Sequence, residues 1–169
     1  MKKISLLAED EQNDVLFMQA ALKKAGMDRM LRLVTDGQQA LDYMKGAGEF
    51  GDRRKFPLPC IVLLDLKLPR VMGMEVLRWI RQEPAFTTII VIVLTSSSQE
   101  ADMEKAYRLG ANAYLVKPSN PKKLHELVSL IGRFWLNLNQ PTSEAAGSAD
   151  IAKRNRGIIM LRSTTTPAC

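Results

Sequence analysis

No apolar run in this chain approaches the roughly 20 residues needed to cross a bilayer. The N-terminal stretch Met1-Lys2-Lys3-Ile4-Ser5-Leu6-Leu7-Ala8 begins like a secretory signal, but Glu9, Asp10 and Glu11 end it far too early. Cysteine is scarce as well. Of the two present, Cys60 sits in an apolar run and Cys169 is the last residue, so a structural bridge is not expected and a cytoplasmic location is. Aromatic residues make up only 6% of the chain, and the basic clusters Arg53-Arg54-Lys55 and Lys122-Lys123 are not interleaved with them. The net charge of +6, of which +4 lies within residues 1–141, therefore reads as a solvated basic surface and not as a nucleic-acid interface. The one histidine, His125, lies beside the core stripe of the last expected helix with no glycine-rich nucleotide box to accompany it. It reads as a surface histidine, and the chain is not expected to phosphorylate itself from ATP. The first turn, Ala8-Glu9-Asp10-Glu11, lacks glycine and would repel a pyrophosphate, which counts against a dinucleotide-binding enzyme. No internal repeat is visible.

What is present is an ordinary globular composition, 46% hydrophobic and 25% charged, long enough for one full core. Five apolar strands are expected, at 3–8, 30–34, 60–64, 89–94 and 113–116, each followed by a helical pattern. Val15, Met18, Ala21, Leu22 and Ala25 mark the first helix, with Gly26 as its stop; Ala40, Leu41 and Met44 mark the second. Residues 48–59, with two glycines, two prolines and a basic triplet, read as a surface loop. A turn with Pro69 and Gly73 leads to a third helix carrying Val76, Leu77 and Ile80. Ser96-Ser97-Ser98 offer N-caps for a fourth, which runs to Leu109 with Gly110 as its cap. Pro121 opens the fifth, whose core residues Leu124, Leu127, Val128 and Ile131 are extended by Phe134, Trp135 and Leu138. Strict alternation predicts an α/β fold with a doubly wound parallel sheet covered by helices on both sides. The Pro/Ser/Thr/Ala-rich residues 141–169, with Lys153, Arg154 and Arg156, read as a flexible basic tail; Ile158–Leu161 is its only apolar run. No recognition-helix module for DNA is expected.

The polar residues that interrupt the strands sit at carboxyl ends: Glu9 and Asp10 after the first, Asp65 after the third, Thr95 after the fourth and Lys117 after the fifth. An ionised aspartate is too costly for the strand interior, so Asp65 belongs at the sheet edge where ligands collect. In a parallel sheet these ends share one edge. Carboxylates gathered there repel one another unless a cation intervenes, and an oxygen-only set suits Mg²⁺. With the Lys117 charge and the Thr95 hydroxyl alongside, such an edge can hold a phosphoryl group on Asp65. Each residue also has a plainer reading: Glu9 and Asp10 as helix-cap acids, Lys117 as a turn lysine, Thr95 as a strand-end residue, Tyr114 as core.

The acidic pair, Asp65, Thr95, Tyr114 and Lys117-Pro118, in that order and spacing, resemble the receiver domain of two-component response regulators over residues 3–138. Leu68-Pro69-Arg70, the loop at 48–59 and Phe134-Trp135 resemble the stand-alone regulators paired with bacterial phytochrome-type histidine kinases. The resemblance implies a five-stranded sheet of order 2-1-3-4-5 and a receiver over residues 1–140. It makes Asp65 the phosphoacceptor from a sensor histidine kinase. Asp10, Asp65 and the backbone carbonyl of Lys67 would bind Mg²⁺, with Glu9 acting mostly through water. Lys117 would meet the phosphoryl oxygens, and Thr95 would shift toward them and vacate space into which Tyr114 rotates. A cis Lys117-Pro118 bond and dimerisation through the surface of helix four, strand five and helix five are also implied. Apart from accepting the group and slowly losing it, no enzymatic activity is expected. Two rivals stand. A haloacid-dehalogenase-type phosphatase would want an Asp where Lys67 stands, and a receiver-like adaptor would work without phosphorylation.

Overall fold

The computed structural model describes residues 4–24 and 31–139. The basic tail at 141–169, the Gly26 stop and the start of the second strand at Met30 lie outside the described residues. Strands β1 (Ser5–Ala8), β2 (Leu31–Val34), β3 (Ile61–Leu64), β4 (Ile90–Thr95) and β5 (Ala113–Val116) alternate with helices α1 (Gln12–Lys24), α2 (Gly37–Lys45), α3 (Gly73–Gln82), α4 (Glu100–Arg108) and α5 (Pro121–Ile131). All strand pairs are parallel, and the order is β2-β1-β3-β4-β5. The unbroken apolar runs form the centre of the sheet, because β1, β3 and β4 have neighbours on both edges and helices on both faces.

Successive strand residues face opposite sides, and this alternation splits the core in two. Leu6, Ala8, Val62, Leu64, Val91 and Val93 pack under α2, α3 and α4. Leu7, Ile61, Leu63, Ile92 and Leu94 pack under α1 and α5, against Met18, Leu22, Leu124 and Val128. Helix α4 is the most lightly held, with Ala106 its only fully buried residue.

Three local expectations are corrected. Residues 48–59 are not simply a surface loop: a 3₁₀ turn at Gly48–Gly51 buries Phe50, and Tyr43, Phe50 and Phe56 stack with centroids 5.2–6.1 Å apart. Arg53 fastens this cluster by donating to the carbonyls of Tyr43 (2.8 Å) and Met44 (2.6 Å) in the last turn of α2 and to that of Phe56 (3.2 Å) in the loop. Arg53→Met is expected to destabilise the fold by about 2–3 kcal/mol, read from a urea melt, because those carbonyls lose a charged donor. Secondly, α4 starts at Glu100 with Gln99 as N-cap, while Ser97 is buried in the preceding loop. Ser97 Oγ accepts from Gln99 N–H and donates to Asp102 Oδ2 at 2.6 Å, so it braces the first turn from outside the helix. Thirdly, the Lys117–Pro118 bond is trans, the form that an X–Pro bond favours by about 0.5–1 kcal/mol.

Beyond α5 the chain continues as a π-helical segment over Gly132–Leu138. Trp135 packs on the α1/α5 side of the core, while Phe134 stacks edge-on against it and stays 52% exposed. Of the two, only Trp135 belongs to the core.

Candidate functional site

The carboxyl ends of β1, β3, β4 and β5 bring the expected residues together. Asp65 and Glu9 each follow a strand by one residue, and the ladder carries one step past each: Asp65 N–H donates to Ala8 O at 3.0 Å, and Glu9 N–H to Val34 O at 3.1 Å. These backbone bonds fix where both carboxylates start. Glu9 is 1% exposed and Asp65 6%, whereas Asp10 is exposed.

Lys117 is the hub. Its Nζ donates to Asp65 Oδ2 at 2.7 Å, to Asp14 Oδ2 at 2.9 Å and to Glu9 Oε2 in a short contact. Its side chain is 6% exposed. Burial works against the ammonium charge, but the hydrogen bonds and fields of Asp65 and Glu9 outweigh it and hold the pKa above the ordinary lysine value. Burial pushes the Glu9 carboxyl above its usual range, and the Lys117 hydrogen bond offsets only part of that. The other Asp65 oxygen, Oδ1, accepts from Lys67 N–H at 3.2 Å, and Glu9 Oε1 accepts from Glu11 N–H at 3.1 Å. Among the described residues no buried side-chain nitrogen or oxygen lacks a partner.

Asp14 escapes the strand-end pattern because it lies one turn into α1, four residues after Asp10. In the sequence it is an ordinary acid near a helix N-terminus. Nothing in its spacing refers to Lys117, because Asp10 lies before α1 begins and shares no helical face with Asp14.

Thr95 is fully buried. Its hydroxyl accepts from Ser97 N–H at 3.4 Å, and its carbonyl accepts from Lys117 N–H at 2.8 Å. Tyr114 is 7% exposed and already points inward, its hydroxyl donating to Ser97 O at 3.0 Å. The inward position therefore fits with Thr95 where it stands. Burial raises the Tyr114 phenol pKa, with the Ser97 hydrogen bond partly opposing the shift. His125 is half-buried and lines a groove between α1 and α5 with Phe17, Lys24 and Pro121.

The loop after β3 is held by close backbone approach. A Cβ at Gly73 would lie 2.0 Å from Asp65 O, and one at Gly37 would lie 1.9 Å from Val71 O. Gly37 N–H donates to Pro69 O, and Arg70, at φ 66, reaches Asp36 at 3.6 Å. Gly73→Ala is expected to displace the Asp65 backbone, to destabilise the fold by about 1–3 kcal/mol as overpacking does, and to slow any chemistry at Asp65. Thermal melts and modification kinetics on one preparation check both effects.

One oxygen from each of Glu9, Asp10 and Asp65 lies within 4.8 Å of the others. The donors are all oxygen, and the single Lys117 charge faces three carboxylates, so a negative surplus remains. That chemistry fits a hard divalent cation such as Mg²⁺.

A family model described as the response regulator receiver domain matches residues 5–129. The chain belongs to that family. The receiver is 40% identical over 134 residues to the response regulator Rcp1 of Synechocystis sp., covering 79% of this chain and 89% of the relative. It resembles the crystal structure of the phosphorylated cyanobacterial phytochrome response regulator RcpA, with a TM-score of 0.79 at 33% identity over 84% of this chain and 99% of that one. It also resembles the Mn²⁺-bound form of Rcp1, with a TM-score of 0.76 at 38% identity over 82% and 98% of the two chains. Receivers generally act in two-component signalling and not as enzymes, with phosphorylation and divalent-metal binding as family features. No helix among the described residues is long and apolar enough to cross a membrane.

Proposed function

We propose that this receiver accepts a phosphoryl group on Asp65 from the phosphohistidine of a sensor histidine kinase of phytochrome type. The observation that carries the reading is the ammonium of Lys117 held 2.7 Å from Asp65 Oδ2 at the edge of a carboxylate cluster. RcpA, a phosphorylated phytochrome response regulator, supports the choice of kinase. In the transfer an Asp65 oxygen attacks phosphorus. The new O–P bond forms as the P–N bond to the kinase imidazole breaks, and the imidazole leaves with the electron pair and takes up a proton. Lys117 neutralises Asp65 beforehand and the phosphoryl oxygens afterwards; the Thr95 hydroxyl, at the end of the adjoining strand, is the second donor. Asp10, Asp65 and the Lys67 carbonyl would hold Mg²⁺, with Glu9 acting through water. The bound ion offsets the charge gathered on the phosphoryl group and the carboxylates.

Phosphorylation adds about −1.5 to −2 charges at neutral pH. A complete switch, from 1:99 to 99:1, needs roughly 5.5 kcal/mol of differential stabilisation. The element to be biased is the loop from Thr95 through Ser97 to α4, which Tyr114 grips from β5. The output is protein binding or dimerisation through the α4–β5–α5 face. The light packing of α4 and the exposure of Tyr107 (50%) and Val116 (41%) support that surface.

The test is incubation with acetyl phosphate and Mg²⁺, followed by intact-mass measurement. An acid-stable, base-labile adduct is expected, and chelation of the metal should suppress it. No adduct under conditions that label a competent receiver would favour a phosphorylation-independent adaptor instead.

A further inference from the structure

The contact between Asp14 and Lys117 is the part of the site that the strand-end logic does not demand. A lysine ammonium has three N–H donors. Here Asp65, Glu9 and Asp14 take one each. Glu9 and Asp65 have side chains only 1% and 7% exposed, so neither can be returned to water without opening the site. Asp14 differs: its side chain is 30% exposed at the start of α1. It is the one partner that can exchange Lys117 for solvent.

When Asp65 becomes an acyl phosphate, its reacting oxygen gives up its charge to the new O–P bond, and the negative charge moves outward onto the phosphoryl oxygens. Lys117 must then turn donors outward. The donor held by Asp65 is released to follow that charge, but the ammonium moves only as far as its other two partners, Glu9 and Asp14, allow.

We propose that Asp14 is a positioning residue that latches Lys117 in the resting site and sets how readily the ammonium turns to the phosphoryl group. The inference rests on Asp65 being the phosphoacceptor. Asp14 does not touch the transferred group; it acts through Lys117 and opposes the reaction by competing for that ammonium.

The experiment compares wild type, Asp14→Asn, Asp14→Glu and Glu11→Gln in the rate of adduct formation from acetyl phosphate at saturating Mg²⁺. Asp14→Asn is expected to react about 2- to 5-fold faster, the upper part of the span that loss of a partly exposed ion pair covers. Asp14→Glu, which restores a carboxylate with a longer arm, should stay within about twofold of wild type, because an ion pair is kept. Glu11→Gln removes a neighbouring exposed acid that does not hold Lys117, and it should leave the rate unchanged. Equal acceleration by Glu11→Gln would mean a general field effect on the anionic donor and would overturn the latch. So would an Asp14→Asn rate at or below that of wild type.

A second readout needs no phosphoryl transfer. In ¹⁵N-lysine-labelled protein the Lys117 ammonium protons should exchange with water faster in Asp14→Asn than in wild type; unchanged exchange overturns the latch. If wild type itself takes no label, the phosphoacceptor reading falls. If wild type is labelled and Asp14→Asn gains nothing, only the latch falls.

Discussion

Asp65→Asn is expected to take no phosphoryl label while leaving the fold intact. The amide keeps the shape of the carboxyl group and still offers an oxygen to Lys117 or to Lys67 N–H, the two partners of Asp65. It also removes one of the three acids around the ammonium. The charge of Asp65 is one of the influences that raise the Glu9 pKa, so Glu9 should ionise more easily in the variant. Two effects thus oppose each other in stability: a charge-assisted hydrogen bond is weakened and a repulsion is relieved. The net change should stay within about 1 kcal/mol, in contrast to the loss expected when a buried charge is left unpaired. Intact mass after acetyl phosphate treatment reads the first expectation and a urea melt reads the second. A labelled Asp65→Asn protein would remove Asp65 from the role assigned to it.

Lys117→Met should cost the fold more than any other single change at this edge. Removal of the cation leaves Glu9 and Asp65 facing each other in a buried site with Asp14 beside them. Breaking a buried ion pair from one side destabilises by about 3–5 kcal/mol. The size of the loss should depend on pH, and its sign follows from the protons involved. Without Lys117 the Glu9 carboxyl, already raised by burial, loses the hydrogen bond and the charge that hold it down, and its folded-state pKa moves further above its unfolded value. The folded variant then holds protons that the unfolded chain releases, so its stability recovers as the pH falls through that window. Wild type behaves differently in alkali. Its raised Lys117 pKa contributes stability that is fully present below 10.5 and is lost as the pH climbs through the folded-state value. Urea melts of both proteins in chelator at pH 7 and pH 5 should show the gap narrowing at the lower pH. A loss below about 1 kcal/mol at pH 7, typical of an exposed pair, would show that Lys117 is not the keystone of the cluster. Mg²⁺ added to the variant should raise its midpoint more than that of wild type, since the ion supplies the positive charge the substitution removed.

The backbone plan of this receiver is written in local patterns. The short, β-branched runs Ile61–Leu64 and Ile90–Leu94 read as strands covered on both faces, and the helices between them carry their apolar residues at helical spacing. Strand ends then place Glu9, Asp10, Asp65, Thr95 and Lys117 on one edge before any coordinates are known, because parallel strands point the same way. The family follows from that order of residues. Where the sequence misleads, the missing information is non-local. Residues 48–59 look like a surface loop by composition, yet Phe50 and Phe56 find Tyr43, and Arg53 finds the end of α2. The serines at 96–98 look like caps, but the burial of Ser97 beneath Tyr114 removes it from the helix end.

What the sequence determined, then, is the fold, the edge and the identity of most groups along it, since hydrophobic period and strand direction are properties of short segments. Tertiary structure alone decided which acids share the Lys117 ammonium. Asp14 and Lys117 are 103 positions apart, and no periodicity in either segment refers to the other. An ammonium with three donors buried beside four nearby acids must choose its partners by distance and by the cost of leaving each one unsolvated. Those quantities exist only once α1, β3 and β5 are packed.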